Sequence, residues 1–208
     1  MKAKHEKVDS HLEETKFWGP SNNTFFAIHS VNDYKRRALD LGCGSFRNSK
    51  FLFNSGFIVD AIDKDSRVKD FTELFKQRRS FYKLKSKEFF NLKIADYLCC
   101  DLGKGKYDIV VSENSLSFNK RKDVQKMMHK IYIAMKKGGY FAGNFFGLKD
   151  FRFGKKNMSF YKKDEVLSLI KKFEIVWFEE QEGDDKQGSS DFHWHAFEFL
   201  VKKNGSKI

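Results

Sequence analysis

Apolar and polar residues follow two periods along this chain, and the points where one period gives way to the other divide it into elements. Short apolar or alternating runs at 38–41, 57–63, 91–95, 107–112, 140–146, 173–179 and 194–202 predict seven strands. The run from Tyr107 to Ser112, YDIVVS, is nearly all apolar and predicts a strand buried on both faces. Helical spacing fills the intervals. It predicts a helix over Ser21–Val31 with Phe25, Phe26 and Ile28 turned inward, a second over 46–55, and a basic, aromatic one over Arg67–Phe90. Asp123–Met135 carries Val124, Met127, Met128, Ile131 and Met135 on one side and stops at Gly138-Gly139. A last helix is expected over 163–171. Strands alternating with helices predict an α/β protein, a doubly wound seven-stranded sheet that is mostly parallel, with helices on both faces. No helix separates the last two strands, so the last is expected to run antiparallel. Met1–Thr15 is polar and reads as an arm, and Phe17-Trp18-Gly19-Pro20 as a turn. The chain is thereby divided into an N-terminal arm and lid helix, 1–37, and one domain, 38–208.

Composition alters this picture little. A chain of 208 residues is long enough to bury a core within one such domain. Neither a charged-then-apolar leader nor an apolar run near ~18 residues is present, so a soluble cytoplasmic protein with no membrane partner is expected. Cys43, Cys99 and Cys100 lack metal-ligand spacing, which fits a reducing compartment and predicts no metal site. The net charge of +12 raises nucleic acid as a partner. The charge is scattered, however, in short groups such as Lys35-Arg36-Arg37, Arg78-Arg79, Lys136-Lys137, Lys155-Lys156 and Lys171-Lys172. Solvated faces account for such groups better, and nucleic acid is kept as the lesser alternative.

The chemistry concentrates in residues 38–63, ALDLGCGSFRNSKFLFNSGFIVDAID. A buried strand ends in Asp40, the turn Gly42-Cys43-Gly44 follows, and the next strand ends in Asp63. Glycines let a ligand lie against the backbone, and the helix start offers free N–H groups. An acid roughly 20 residues on, at the end of the second strand, can accept both hydroxyls of a ribose. A dinucleotide would want a third glycine where Arg47 stands. Asp40 beside its pyrophosphate would add like-charge repulsion. S-adenosylmethionine has an ammonium, a sulfonium and no phosphate, and it suits Asp40 better.

The stretches LDLGCGSFRNSKFL and GFIVDAID resemble the first two motifs of the class I S-adenosylmethionine-dependent methyltransferases, which have a Rossmann-like fold. KYDIVVSENSLSF resembles the family's fourth strand, KKGGYFAGNFFG its fifth, and FEIVWFEE with HWHAFEFLVKK its closing hairpin. The subgroup closest in look is the small bacterial tellurite-resistance type. The family usually has a further glycine where this chain has Phe46.

The resemblance implies S-adenosylmethionine as cofactor. Asp40 would hold its amino group, Gly42, Cys43 and Gly44 would admit it, and Asp63, with Lys64 beside it, would take the ribose. Asp96, with Tyr97 beside it, would meet the adenine amino group, Asp101 being the rival. Ser112 and Glu113 would line the reactive end, and Arg47 would meet the methionine carboxylate. No Pro-Pro-aromatic tetrad follows the fourth strand, at Ser112-Glu113-Asn114-Ser115, which disfavours methylation of exocyclic base amines. The expected activity is methyl transfer to a small-molecule acceptor by in-line displacement. RNA or other nucleic-acid methylation and a non-catalytic cofactor-binding protein are the alternatives. His193 and His195 alternate onto one face of the last strand and are expected beside Glu113 and Asn144, where an imidazole could take a proton.

Overall fold

The computed structural model describes residues 12–31, 36–72, 90–187 and 190–204. Strands β1 (Arg37–Leu41), β2 (Ile58–Asp63), β3 (Phe90–Ile94), β4 (Tyr107–Ser112), β5 (Met135–Phe146), β6 (Glu174–Gln187) and β7 (Ser190–Lys202) form one sheet in the order β3-β2-β1-β4-β5-β7-β6. β1 to β5 are parallel, and β7 runs antiparallel between β5 and β6. Helices α1 (Asn22–His29), α2 (Arg47–Asn54), α3 (Arg121–Ala134) and α4 (Lys163–Ile170) flank it. Two apolar clusters, one on each face, hold the layers together. One unites α3 and α4 with Phe141, Phe197 and Phe199. The other unites α1 and α2 with Ala38, Val111 and Leu200. Among the described residues no helix is long and apolar enough to cross a membrane.

The strand order matters for function. The chain leaves β1 toward β2 and β3 on one side and returns to β4 on the other, so crossovers diverge at the carboxyl ends of β1 and β4. Open α/β sheets bind ligands in the crevice at such a switch point. The opposite, amino edge is tied by charge. Asp60 on β2 accepts from the Tyr107 hydroxyl at 2.8 Å and from Lys106 at 2.7 Å, and Asp108 on β4 pairs with Lys136 at 2.8 Å.

Four expectations about elements need correction. The helix expected over Arg67–Phe90 begins as a 3₁₀ segment, Ser66–Thr72, and its remainder lies outside the described residues, as does the arm before residue 12. β5 starts at Met135, five residues early, running through the glycines expected to stop a helix. β6 and β7 extend well past their apolar runs, because polar residues pair across the hairpin, Glu182 opposite His195 and Asp184 opposite His193. Lastly, α1 does not bury Phe25 and Phe26, which are about half exposed. It buries Asn23, Thr24, Ala27 and Ile28. The sheet surface below α1 carries hydrogen-bonding groups, so a polar stripe docks better than an aromatic one.

Phe46 is the local exception to ordinary backbone chemistry. At φ 63, ψ 26 it sits in the left-handed region that glycine favours, and its ring is buried edge-on to Phe90 at 5.4 Å. The turn therefore keeps its usual conformation without its usual residue. A non-glycine residue there costs about 1–2 kcal/mol, which burial of a phenylalanine offsets. The ring belongs to the apolar cluster that unites α1 and α2. Phe46→Ala is expected to destabilise the protein by about 3–5 kcal/mol. Phe46→Gly, ordinarily the worse replacement, should cost about 1 kcal/mol less, because it relieves the backbone. Urea midpoints of the two variants measure the order, and a glycine variant weaker than the alanine variant would remove the strain argument.

Candidate active site

The carboxyl edge gathers the cradle as the strands end. Asp40, next to last in β1, is withdrawn from water and receives a hydrogen bond from the Ser49 hydroxyl on α2 at 2.6 Å. No cation among the described residues pairs with it. Burial pushes its pKa up to about 6; the Ser49 bond opposes this and the Asp63 charge adds to it. Asp63, ending β2, accepts from the Gly44 N–H at 2.9 Å and the Asp65 N–H at 2.9 Å. Its carboxylate thereby braces the glycine turn, which has Gly42 at φ 76 and Gly44 at φ 49. Gly42 is required sterically: a Cβ there would meet the Ser115 hydroxyl at 2.0 Å. The loop after β4 leans on the turn at that point. Cys43 is buried inside the turn, and burial holds its thiol well above the usual range.

The reactive end lies beyond β4 and β5. Ser112 is buried and donates to the Leu41 carbonyl at 3.2 Å. Glu113 follows, half-buried, with Asn23 of α1 donating to its Oε1 at 2.5 Å and to the Gly143 carbonyl at 3.1 Å. Burial, and next the charge of Glu198, push the Glu113 pKa up to about 8; Asn23 and Arg47 oppose the shift. Glu198 on β7 faces Asn144 on β5 and Glu179 on β6 in register, so all three lie on the α1 face. Burial raises its pKa also, with Arg47 opposing and Glu179 adding. Arg47, first residue of α2, donates to the Gly19 carbonyl and lies 5.4 Å from the Trp18 ring.

The N-terminal segment is built onto this edge. Leu12 lies 3.6 Å from where a Gly44 Cβ would be, the Thr15 and Ser45 hydroxyls bond at 2.8 Å, and the Ser21 N–H donates to Asn48 at 3.0 Å. Lys64 is exposed beside Asp63. Asp96 is exposed one residue past Ala95, whose N–H bonds to the Asp63 carbonyl, and it caps the 3₁₀ turn Tyr97–Cys99. Tyr97 itself is buried, its hydroxyl donating to the Ser115 carbonyl at 3.1 Å and accepting from Asn119 at 2.7 Å. Asp101 is exposed and accepts from the Gly103 N–H at 2.9 Å. Among the described residues no group of three His, Cys, Asp or Glu could hold a metal.

The histidines are not where the sequence placed them. Alternation does set both on one face of β7, but that face belongs to Phe197 and Phe199, opposite Glu198 and Asn144. His195 is buried against Phe197 at 5.0 Å; its Nδ1 accepts from the Lys149 N–H at 3.2 Å and its Nε2 meets Glu180 at 3.2 Å. His193 is bound between Asp184 at 2.8 Å and Glu182 at 3.1 Å. Both rings close the polar hairpin and neither reaches Glu113. Asn23 and Glu198 were missed from sequence. A lone acid in the apolar run HAFEFLV was the available signal for Glu198, while Asn23 gave none.

A family model described as tellurite resistance protein TehB matches residues 22–192. The chain belongs to the TehB family. It is a class I S-adenosylmethionine-dependent methyltransferase, with S-adenosylmethionine as cofactor. TehB from Haemophilus influenzae is similar in structure, with a TM-score of 0.70 and 19% identity over 88% of this chain and 62% of that one. A SAM-dependent methyltransferase from Methanosarcina mazei gives 0.65 and 20% over 85% of this chain and 96% of that one. The 1,6-didemethyltoxoflavin-N1-methyltransferase of Burkholderia thailandensis, solved with its substrate and S-adenosylhomocysteine, gives 0.67 and 14% over 97% and 84%. No curated protein matches by sequence. The residues present fit the cofactor: Asp40 is a buried carboxylate with no cation paired to it among the described residues, which suits a ligand bearing an ammonium and a sulfonium.

The raised pKa of Glu113 has a stability consequence with a definite sign. A carboxyl whose folded pKa exceeds its unfolded value of roughly 4.3 stabilises the fold fully below that pH, and the contribution fades as pH rises toward 8. Glu113→Gln removes the charge at every pH. Discounted for partial exposure to about 1–2 kcal/mol, the effect should raise the melting midpoint at pH 8 by roughly 2–8 °C, at ~2–4 °C per kcal/mol. The gap should close near pH 5, and a gap independent of pH in calorimetric scans would show that Glu113 titrates normally.

Proposed function

We propose that this TehB-family protein methylates a small-molecule acceptor, with Glu113 taking the proton that the acceptor loses. The observation that carries this reading is the placement of Glu113. It directly follows β4 at the switch point, it is held by a buried asparagine, and its raised pKa makes it a proton acceptor near neutrality. Bound S-adenosylmethionine supplies a methyl group on a sulfonium, open to in-line displacement. The chain's own residues do the rest. Asp40 attracts the cationic head, Asp63 takes the ribose hydroxyls after giving up the Gly44 N–H, and Arg47 receives the carboxylate. Gly42, Cys43 and Gly44 form the floor, Asp96 with Lys64 borders the base, and Ser112 fixes the β4 end against β1. Tyr97 supports the site from below through Ser115. Residues 12–29 act as a lid whose closure excludes water from the reacting groups. We assign His193 and His195 to holding the β6–β7 hairpin.

S-adenosylmethionine and S-adenosylhomocysteine are expected to bind at micromolar levels, and NAD not at all. Asp63→Ala should weaken binding about 10-fold or more, the scale of one lost charged hydrogen bond. Placing a cation beside carboxyls whose pKa values stand near 6 and 8 favours their ionised forms, so S-adenosylmethionine should bind more tightly as pH rises from 6 to 8 and release protons on binding. Calorimetry in buffers of different ionisation enthalpy measures the release, and absence of it would remove Asp40 and Glu113 from the cofactor's surroundings. For the acceptor, a metabolite panel screened for methyl transfer is the direct test. Glu113→Gln should lower turnover on any hit by 10²-fold or more, on the scale of general base catalysis, while leaving S-adenosylhomocysteine affinity within a few-fold.

The lid has its own measurement. Trp18 is half exposed over Arg47, so cofactor binding should change its fluorescence, and Trp18→Phe should abolish that change. A signal that survives the substitution would place the movement elsewhere.

A further inference from the structure

One of the scattered basic groups, Lys155-Lys156, stands with Lys120 and Lys122 on a face that the methyl-transfer reading does not use. Three phenylalanines, Phe118, Phe151 and Phe153, are exposed by 43%, 48% and 59% at the carboxyl edge. Each packs against another ring: Phe118 edge-on to Phe146 at 5.4 Å, Phe151 against Phe192 at 5.0 Å with the Lys155 ammonium 5.2 Å over it, Phe153 edge-on to Phe160 at 5.4 Å. Arg152 joins them. Its guanidinium lies 3.8 Å over Phe146, 4.8 Å from Phe151 and 5.9 Å from Phe118, held in that position by Asp150 at 2.7 Å. Rings held by neighbours and still largely exposed lose little conformational entropy when a planar partner stacks on them.

Lysines near these rings are unpaired, with acids also close by: Asp123 in the adjoining hollow, Asp150 on Arg152, and Asp184 and Glu182 on His193, whose carbonyl accepts from the Phe151 N–H. Lys120, Lys122, Lys155 and Lys156 are all exposed, and none forms an ion pair among the described residues, whereas the nearby Arg121 and Lys149 are paired with Glu165 and Glu182. Beside Phe118, Lys120 and Lys122 lies a hollow of about 280 Å³, lined also by Asn119, Asp123 and Asn157. A concave, amide-lined depression beside exposed rings does not suit a lipid surface, which meets convex apolar wedges or amphipathic helices. Stacking rings, unpaired lysines and a polar hollow are instead the parts of a single-strand platform: aromatic faces for bases, cations for phosphates.

We infer that this face, formed by the loop 147–160 and the turn 118–122, docks a single-stranded nucleic acid. Docking is independent of methyl transfer and needs neither cofactor nor acceptor, so its failure would leave the enzymatic reading untouched. The electrostatic share is bounded by the four free lysines. If three phosphates are neutralised, the logarithmic salt slope is about −2, and affinity falls roughly 20-fold between 50 and 200 mM salt.

The test is fluorescence anisotropy of labelled 12-nucleotide oligouridylate and oligothymidylate with the full chain. Binding should be measurable at 50 mM salt and follow that slope. Phe151→Ala with Phe153→Ala should weaken it about 10-fold or more, by loss of stacking, without altering the slope. Lys155→Glu with Lys156→Glu should weaken it and flatten the slope by about one or more. Lys171→Glu with Lys172→Glu changes net charge equally, at exposed positions on another part of the surface, and should change binding less than 2-fold. Retained S-adenosylhomocysteine binding and an unchanged circular dichroism spectrum establish that each variant is folded. No binding at 50 mM salt overturns the inference. So does binding indifferent to the phenylalanines, or reduced equally by the control pair, since either is the background of a +12 protein. Stronger, phenylalanine-dependent binding to vesicles of anionic phospholipid than to either oligonucleotide would replace it with a membrane surface.

Discussion

The site depends on a carboxylate taken out of water with no cation among the described residues to pair with. Asp40 is buried between β1 and α2 with a serine hydroxyl as its hydrogen-bond donor. Burying an acid in that way opposes its ionisation, and the nearby Asp63 increases the cost. No gain in folding follows from such an arrangement. It is a stored preference for positive charge, located where the crossovers of the sheet diverge. Glu113 and Glu198 extend the same preference along the carboxyl edge, and the charge of Arg47 tempers them both. The proposed function rests on this balance, with the acids for a cationic head and Arg47 for a carboxylate tail.

Placement of the N-terminal segment follows from the same edge. α1 covers the sheet with a stripe that is half polar because Glu113 and the Gly143 carbonyl lie beneath it. Asn23 satisfies both with one amide, which a hydrophobic side chain could not do without leaving buried polar groups unpaired. The segment before α1 then reaches back over the glycine turn through Leu12, Thr15 and Ser21. One asparagine thus links the covering segment to the reactive end, so movement of one changes the setting of the other.

β7 shows how a strand divides its duties. Its inward residues on one face, Phe197, Phe199 and Val201, belong to the cluster under α3 and α4, and the same face carries His193 and His195 further along. On the other face Glu198 stands opposite Asn144 and Glu179. The histidines stand at the carboxyl end of the sheet but on the face opposite Glu198 and Asn144. Their rings bind acids of β6 and extend the hairpin past its apolar part, where cross-strand polar pairs replace burial as the source of cohesion.

What the sequence determined by itself was the order of elements, the motif-bearing turn and the acids that end β1 and β2, since these follow from local periodicity and from fixed spacing along the chain. The limits of the YDIVVS strand, β4, were legible to the residue because both its faces are buried, and the left-handed turn was legible from Gly42 and Gly44. Phe46 was not: its backbone violates residue preference, and only burial of its ring against Phe90 shows why the turn tolerates it. Tertiary structure alone decided which side of α1 faces inward, which face of β7 meets the site, and that Asn23 and Glu198 belong beside Glu113. Those residues are 90 and 85 positions from Glu113 in the chain. Amphipathic patterning says that a polar residue is out of place on a buried face, but the partner that makes it favourable is supplied by strands folded from elsewhere. Alternation likewise fixes that two side chains share a face without saying which face, because that sign is set only when the strand pairs with its neighbours in register.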